Sequence, residues 1–174
     1  MAITNPDTAA APKIPQLPEE LIASTTFLLK RLGFAAKERT MKAYEGTGLH
    51  PYHHAILLVL DERSRETQGS IADALGYDRG QLVGLLDELE ERGLVERRRD
   101  PNDRRRHIVR LTGEGKRMLR RLRALATQIE DEFLSPLSEK ERVNLHALLL
   151  RLAEKHEPRC ALSSSPVRSS PVRT

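Results

Sequence analysis

Between residues 18 and 156 the apolar positions mostly recur every three to four residues, the period of helices with one buried stripe. Leu21, Thr25, Leu28, Leu32 and Ala36 share a face and predict a first long helix, which ends near Thr47 where Gly46 and Gly48 break the pattern. Pro51 suits the first turn of a second helix, with Ala55, Leu58 and Val59 facing inward. A short third helix is expected from Ser70 to Leu75, with Ile71, Ala72 and Leu75 inward and Gly76 ending it. Asp78 suits the N-cap of a fourth helix: its carboxylate can accept from free backbone donors while Gln81 reaches back, as in a capping box. That helix would bury Leu82, Leu85, Leu86 and Leu89 and stop at Gly93.

The period then changes. Leu94–Arg99 and His107–Leu111 alternate as strands do, with Ile108 on the opposite side from Val109 and Leu111. The turn-forming run Asp100-Pro101-Asn102-Asp103 and a row of arginines join them, so a β-hairpin with a long basic tip is expected. Thr112 suits the cap of a fifth helix, with Met118, Leu122, Leu125, Ile129 and Phe133 on one stripe and Arg117, Arg120, Arg121 and Arg123 largely off it. Beyond Pro136, Ser138-Glu139-Lys140-Glu141 reads as the capping box of a sixth, whose apolar face is Leu145, Leu148, Leu149 and Leu152.

Helix, tight turn, helix, hairpin is the order of a winged helix-turn-helix, so the fold class is mainly α with a small β-hairpin wing. Residues 50–111 form the expected DNA-binding lobe, and 18–47 and 112–156 the flanking helices. The leucine stripes of those flanking helices exceed what one small lobe can cover, which predicts a homodimer. Residues 1–17 and 157–174 are poor in apolar periodicity and read as disordered tails, the second containing a tandem SSPVR at Ser164–Arg168 and Ser169–Arg173. That repeat is also a candidate phosphorylation target or weak DNA contact.

Charge sharpens the picture. The chain of 174 residues carries a net charge of only +4. Yet residues 92–110 hold Arg92, Arg97, Arg98, Arg99, Arg104, Arg105, Arg106 and Arg110 against Glu96, Asp100 and Asp103, so the whole basic excess lies in the hairpin. A solvated loop would also tolerate such a run, but concentrated charge suits a polyanion. At the start of the fourth helix, Arg79, Gly80, Gln81 and Gly84 are free to enter a major groove. Arg79 suits guanine or phosphate, Gln81 suits adenine, and the glycines allow close approach. At the tip, Arg99, Arg104, Arg105 and Arg106 suit phosphates or a narrow minor groove. Asp103 either braces a neighbouring arginine or is a turn residue.

Other chemistry is thinly supported. No metal-ligand motif, phosphate-binding glycine loop or nucleophile elbow is present, so neither an enzyme nor a cofactor is expected. His50, His53 and His54 raise a zinc site, but adjacent helical histidines diverge and no carboxylate or thiol completes the set. With 3% aromatics there is little to stack single-stranded bases on. The single cysteine, Cys160, cannot form an internal disulfide, no secretion signal is visible, and no apolar run nears the roughly 18 residues of a membrane span. A cytoplasmic protein with no membrane partner is expected.

The stretch QLVGLLDELEERGLVERRRDPNDRRRHIVRLTGEG, residues 81–115, resembles the signature of the MarR family of bacterial regulators. The resemblance lies in Leu89-Glu90, Gly93-Leu94-Val95, Asp103-Arg104-Arg105, Thr112 and Gly115 at their spacing, and extends over roughly residues 18–156. It implies a homodimer with interlocked first and last helices, a fourth helix in the major groove and a wing arginine in the minor groove. Arg105 is the first choice for that arginine, then Arg104, with Asp103 as brace. It further implies a repressor relieved by a small aromatic or phenolic effector, for which Phe34, Tyr44, His50, Tyr52, His53 and His54 are candidate contacts. Two positions depart from the pattern: Gln81 replaces a small residue, often Ser or Thr, and Gly84 replaces a common arginine. The expected partner is an operator in double-stranded DNA. Sequence-tolerant architectural binding and a protein-interaction module without DNA binding are the alternatives.

Overall fold

The structure is a computed structural model and describes residues 16–63, 66–100 and 107–160. The chain divides into two compact units, one up to Glu38 and one from Arg39 onward.

In the first unit, the expected single helix is broken. Helix α1 covers Glu19–Ile22 and helix α2 runs Thr25–Glu45, crossing into the second unit. The reason is Ser24: its Oγ accepts from the Phe27 amide at 3.3 Å, so the chain starts a new helix rather than continuing the old one. The predicted stripe stays largely in solvent, with Leu28 40% and Leu32 53% exposed.

The second unit is built around helix α3, Pro51–Glu62. It is followed by strand β1 (Glu66–Thr67), helix α4 (Gln68–Leu75), helix α5 (Arg79–Glu91), strands β2 (Val95–Arg99) and β3 (His107–Leu111), and helices α6 (Gly113–Phe133) and α7 (Glu139–His156). A short 3₁₀ turn, Pro158–Cys160, follows. Helix α3 is packed by α4, α5, α6 and β3. Its deepest apolar side chains are therefore Ile56, Leu57 and Leu60, not the expected Ala55, Leu58 and Val59, which are only partly buried. A helix surrounded on several sides has no single inward stripe, so three-to-four spacing alone misplaces its deepest face.

Helix α4 starts two residues earlier than predicted because Thr67 and Ser70 cap it reciprocally. The Ser70 amide donates to Thr67 Oγ1 at 3.2 Å and the Thr67 amide to Ser70 Oγ at 2.9 Å. Strand β1, just before it, was not expected from the sequence. It pairs antiparallel with β3, Glu66 opposite Val109, giving the sheet order β1-β3-β2. Strands β2 and β3 form the predicted hairpin, from Val95 opposite Leu111 to Arg99 opposite His107.

Candidate nucleic-acid interface

Helix α5 meets the two demands made of a recognition helix, an anchored back and a free front. Leu82, Leu86 and Leu89 are buried in the core, and Leu85 packs against it half-buried. Asp78 caps the helix, its Oδ1 accepting from Gly80 at 2.8 Å and Gln81 at 3.1 Å. The reciprocal bond from Gln81 is not made, so its side chain is left to solvent. Arg79, Gly80, Gln81 and Gly84 are all exposed, and a Cβ added at Gly84 would meet nothing within 4 Å. The front of the helix thus offers donors, an amide and two stretches of bare backbone.

The hairpin is tied to this helix by a clamp. The Arg97 guanidinium lies 2.8 Å (Nε) and 2.5 Å (Nη2) from Glu90 Oε2 and reaches Asp87 Oδ1 at 2.5 Å. Glu90 Oε1 also accepts from the Arg97 amide at 3.0 Å. These bonds hold the Glu90 carboxyl below its usual range, chiefly through the Arg97 side chain. Arg97 is therefore spent on architecture, and Arg98 is paired with Glu96 at 2.9 Å. The basic excess open to a polyanion is narrower than the arginine run suggested. Arg99, at the end of β2, is exposed. Asp103, Arg104, Arg105 and Arg106, the expected tip contacts, lie outside the described residues.

The candidate effector residues divide. Phe34 is 58% exposed in the first unit. In the second unit Tyr44, His53 and His54 are core residues. Tyr44 Oη lies 2.6 Å from His54 Nδ1. His53 Nδ1 accepts from the His50 amide at 3.0 Å, which places its proton on Nε2, 3.2 Å from Glu88 of α5. His50 Nδ1 in turn accepts from the Tyr52 amide, so these two histidines cap α3. Burial pushes the pKa of His53 and of His54 down, with Arg123 adding to the effect at His54. Tyr52, 39% exposed, packs at a tilt between His50 and Tyr77, at centroid distances of 4.4 and 5.1 Å. Among the described residues no group of three or more His, Cys, Asp or Glu side chains is placed to hold a metal ion.

Comparison with known proteins agrees with this geometry. Residues 47–106 match the model of the MarR family. A putative transcriptional regulatory protein for the hcr operon of Thauera aromatica is 32% identical over 127 residues, 72% of this chain and 76% of that one. The chain belongs to the MarR family. The transcriptional repressor CouR, solved on a 23-mer DNA duplex, is 35% identical with a TM-score of 0.71, covering 80% of this chain and 99% of that one. CouR from Rhodococcus jostii RHA1, solved with p-coumaroyl-CoA, is 29% identical with a TM-score of 0.64, covering 76% and 94%. This MarR-family chain is a DNA-binding transcriptional regulator with a winged-helix fold.

The MarR signature residues have plain structural tasks here. Glu90 holds Arg97. Gly93 (φ +67°) closes α5: its amide donates to Glu90 O at 2.8 Å and that of Leu94 to Leu89 O at 2.9 Å, a Schellman turn into the wing. Thr112 accepts from the Gly115 amide at 3.0 Å while its hydroxyl donates to Gly93 O at 2.7 Å. A Cβ on Gly115 would lie 2.0 Å from Leu94 O, so only glycine lets α6 leave the wing at this angle. Sequence reasoning missed the Arg97 clamp, although Asp87 and Glu90, three apart on one helix face, were its visible signal. Among the described residues no helix is long and apolar enough to cross a membrane.

Proposed function

We propose that the protein is a ligand-responsive repressor that binds a pseudo-palindromic operator as a homodimer. The observation that carries this reading is the anchored helix α5, whose free N-terminal residues Arg79, Gly80, Gln81 and Gly84 lie beside a basic wing. Gln81 reads base edges in the major groove, Arg79 contacts guanine or phosphate, Arg99 contacts phosphate, and Arg104, Arg105 and Arg106 contact phosphate or the minor groove, with Asp103 as brace or turn residue. The exposed apolar side chains of α7 support the dimer: Val143 is 63% exposed and Leu148 and Leu152 47% each. A symmetric dimer presents two such helices to half-sites about one helical turn apart.

The effector is an aromatic or phenolic acid or its thioester, a class suggested by the CouR complex with p-coumaroyl-CoA. Of the candidate contacts, Phe34 and Tyr52 present exposed ring surface, whereas Tyr44, His53 and His54 act from within the core and His50 from the helix cap.

The test is fluorescence anisotropy of the purified chain on the DNA upstream of its own gene and on a shuffled control, over a salt series. Preference for the native fragment by about a thousandfold supports an operator-specific regulator. Equal binding to both, repeated with duplexes selected from random DNA, overturns specificity in favour of architectural binding. Release of the native fragment by p-coumaroyl-CoA tests the effector.

A further inference from the structure

Helix α5 is held in the core by Leu82, Leu86 and Leu89, and apolar packing of this kind is non-directional. It keeps the helix in place but does little to fix its tilt or its rotation about its own axis. Polar contacts on the flanks do that. At about 100° per residue, Asp87 and Glu90 lie on one side of the leucine stripe and Glu88 and Arg92 on the other. The first pair grips Arg97 of the wing. The second pair faces the turn between α2 and α3. That turn is closed by its own bonds: the Thr47 hydroxyl donates to Tyr44 O at 2.7 Å and accepts from the Leu49 amide at 3.0 Å, and Leu49 is buried in the core. Gly48 stands between them at φ +66°, and a Cβ there would lie 3.0 Å from the Arg92 guanidinium. Arg92 thus lies against the bare backbone of the turn. At the start of α3, His53 is buried, with its Nδ1 taken by the His50 amide. Its Nε2 makes no aligned hydrogen bond among the described residues and lies 3.2 Å from the Glu88 carboxylate. Burial lowers the His53 pKa, with Glu88 opposing the shift and His50 and Arg92 adding to it, so the ring presents a neutral N–H to Glu88.

We propose that Glu88 and Arg92 are positioning residues of the recognition helix: gripping His53 and Gly48, they set the angle at which the front of α5 meets DNA. This role rests on the DNA-binding reading above, but it needs no contact between Glu88 or Arg92 and DNA. From Glu88 to Arg79 the helix runs about 14 Å. A swing of about 10° at the clamp moves Arg79 and Gln81 by about 2 Å, enough to lose a hydrogen bond to a base edge. With Arg97 gripped on the other flank, α5 is fixed from both sides. Loss of either grip leaves the leucine stripe to act as a pivot.

The test uses the full chain and a duplex that the wild type recovers from a random-sequence library, together with single base-pair variants of that duplex. The variant Glu88→Ala with Arg92→Ala removes both grips, leaves the net charge unchanged and alters only exposed residues, so circular dichroism should match wild type. Anisotropy titrations over a salt series should show binding to the recovered duplex weakened about fivefold, the scale of two exposed polar ties. Discrimination against single base-pair changes, ordinarily about tenfold each, should shrink by about two- to threefold. The salt slope should stay the same, because no phosphate contact is lost. A merely structural role would lower the melting temperature without changing base discrimination, and that result overturns the proposal. So does a uniform loss of affinity with a salt slope lower by about 1, which would make Arg92 a phosphate contact. If the variant matches wild type in affinity and discrimination, the clamp is wrong while DNA binding stands. If wild type recovers no duplex at all, the DNA-binding reading fails and the positioning role with it.

Discussion

Helices α5 and α7 have similar leucine-rich patterns and opposite fates. In α5, Leu82, Leu86 and Leu89 are at most 1% exposed. In α7, not one residue is buried, and Leu148, Leu149 and Leu152 remain 39–47% exposed. Periodicity reports that a helix has an apolar face. It does not report whether the covering surface belongs to the same chain. For α5 it does, and that frees the opposite face to meet a ligand. For α7 the described residues leave that face open, which is the physical basis of the proposed dimer.

The sharpest way to break the comparison is to truncate one leucine on each helix. Leu86→Ala leaves a cavity in a packed core and should cost about 3 kcal/mol in urea denaturation. A cost below about 1 kcal/mol would mean that α5 is not anchored as described. On α7, Leu148→Glu with Leu152→Glu should leave the circular dichroism of the chain unchanged. In sedimentation it should weaken self-association by at least about a hundredfold, near 2.7 kcal/mol. An unchanged sedimentation coefficient would place the cover for α7 elsewhere.

Smaller effects separate the polar ties of the DNA-binding lobe. His53 and His54 have folded-state pKa values below normal because burial disfavours their charge. The unfolded chain thus binds protons first as the pH drops. Stability from these groups is complete above about pH 6.5 and declines below it, by up to about 1 kcal/mol per pH unit for each histidine. Thermal melts from pH 7.5 to 5.5 should show this fall, and His54→Phe should reduce it. The Glu90 carboxyl is shifted in the same direction for a different reason, and in a lower pH range. Its pKa is depressed by Arg97, so the clamp contributes at neutral pH and is lost only as the pH falls through the carboxylate range. Because Glu90 is partly exposed, Glu90→Gln should cost no more than about 1 kcal/mol. Its clearer sign should be faster amide exchange in β2 than in α5.

The sequence carried the fold at the level of elements: the α5 cap at Asp78, the hairpin pairing and the Ser138–Glu141 box, where the Ser138 amide donates to Glu141 at 2.8 Å. These are local rules, written within a few residues. What it did not carry was non-local or fine-grained. Strand β1 has two residues and exists only because β3 offers it an edge. The break at Ser24 depends on a hydroxyl choosing the backbone over solvent. Arg97 looked like one more cation because its partners sit seven and ten residues away on another element. Tyr44 and His54, which the resemblance offered as ligand contacts, lie ten residues apart, and their pairing at 2.6 Å is likewise written in no local rule.

Gly84 gives the smallest expected effect and the cleanest division between the two faces of α5. A glycine inside a helix costs about 1 kcal/mol relative to alanine. An added methyl here meets open space, so the folded chain offers no steric reason for glycine. Gly84→Ala should therefore stabilise the protein by somewhat less than 1 kcal/mol in thermal or urea melts. If the glycine is there for close approach to DNA, the same variant should bind its operator several-fold more weakly while being more stable. Stability and affinity would then move in opposite directions. Should Gly84→Ala gain stability with unchanged affinity, the front of α5 at this position does not touch DNA, and readout is confined to its first turn, Arg79 to Gln81.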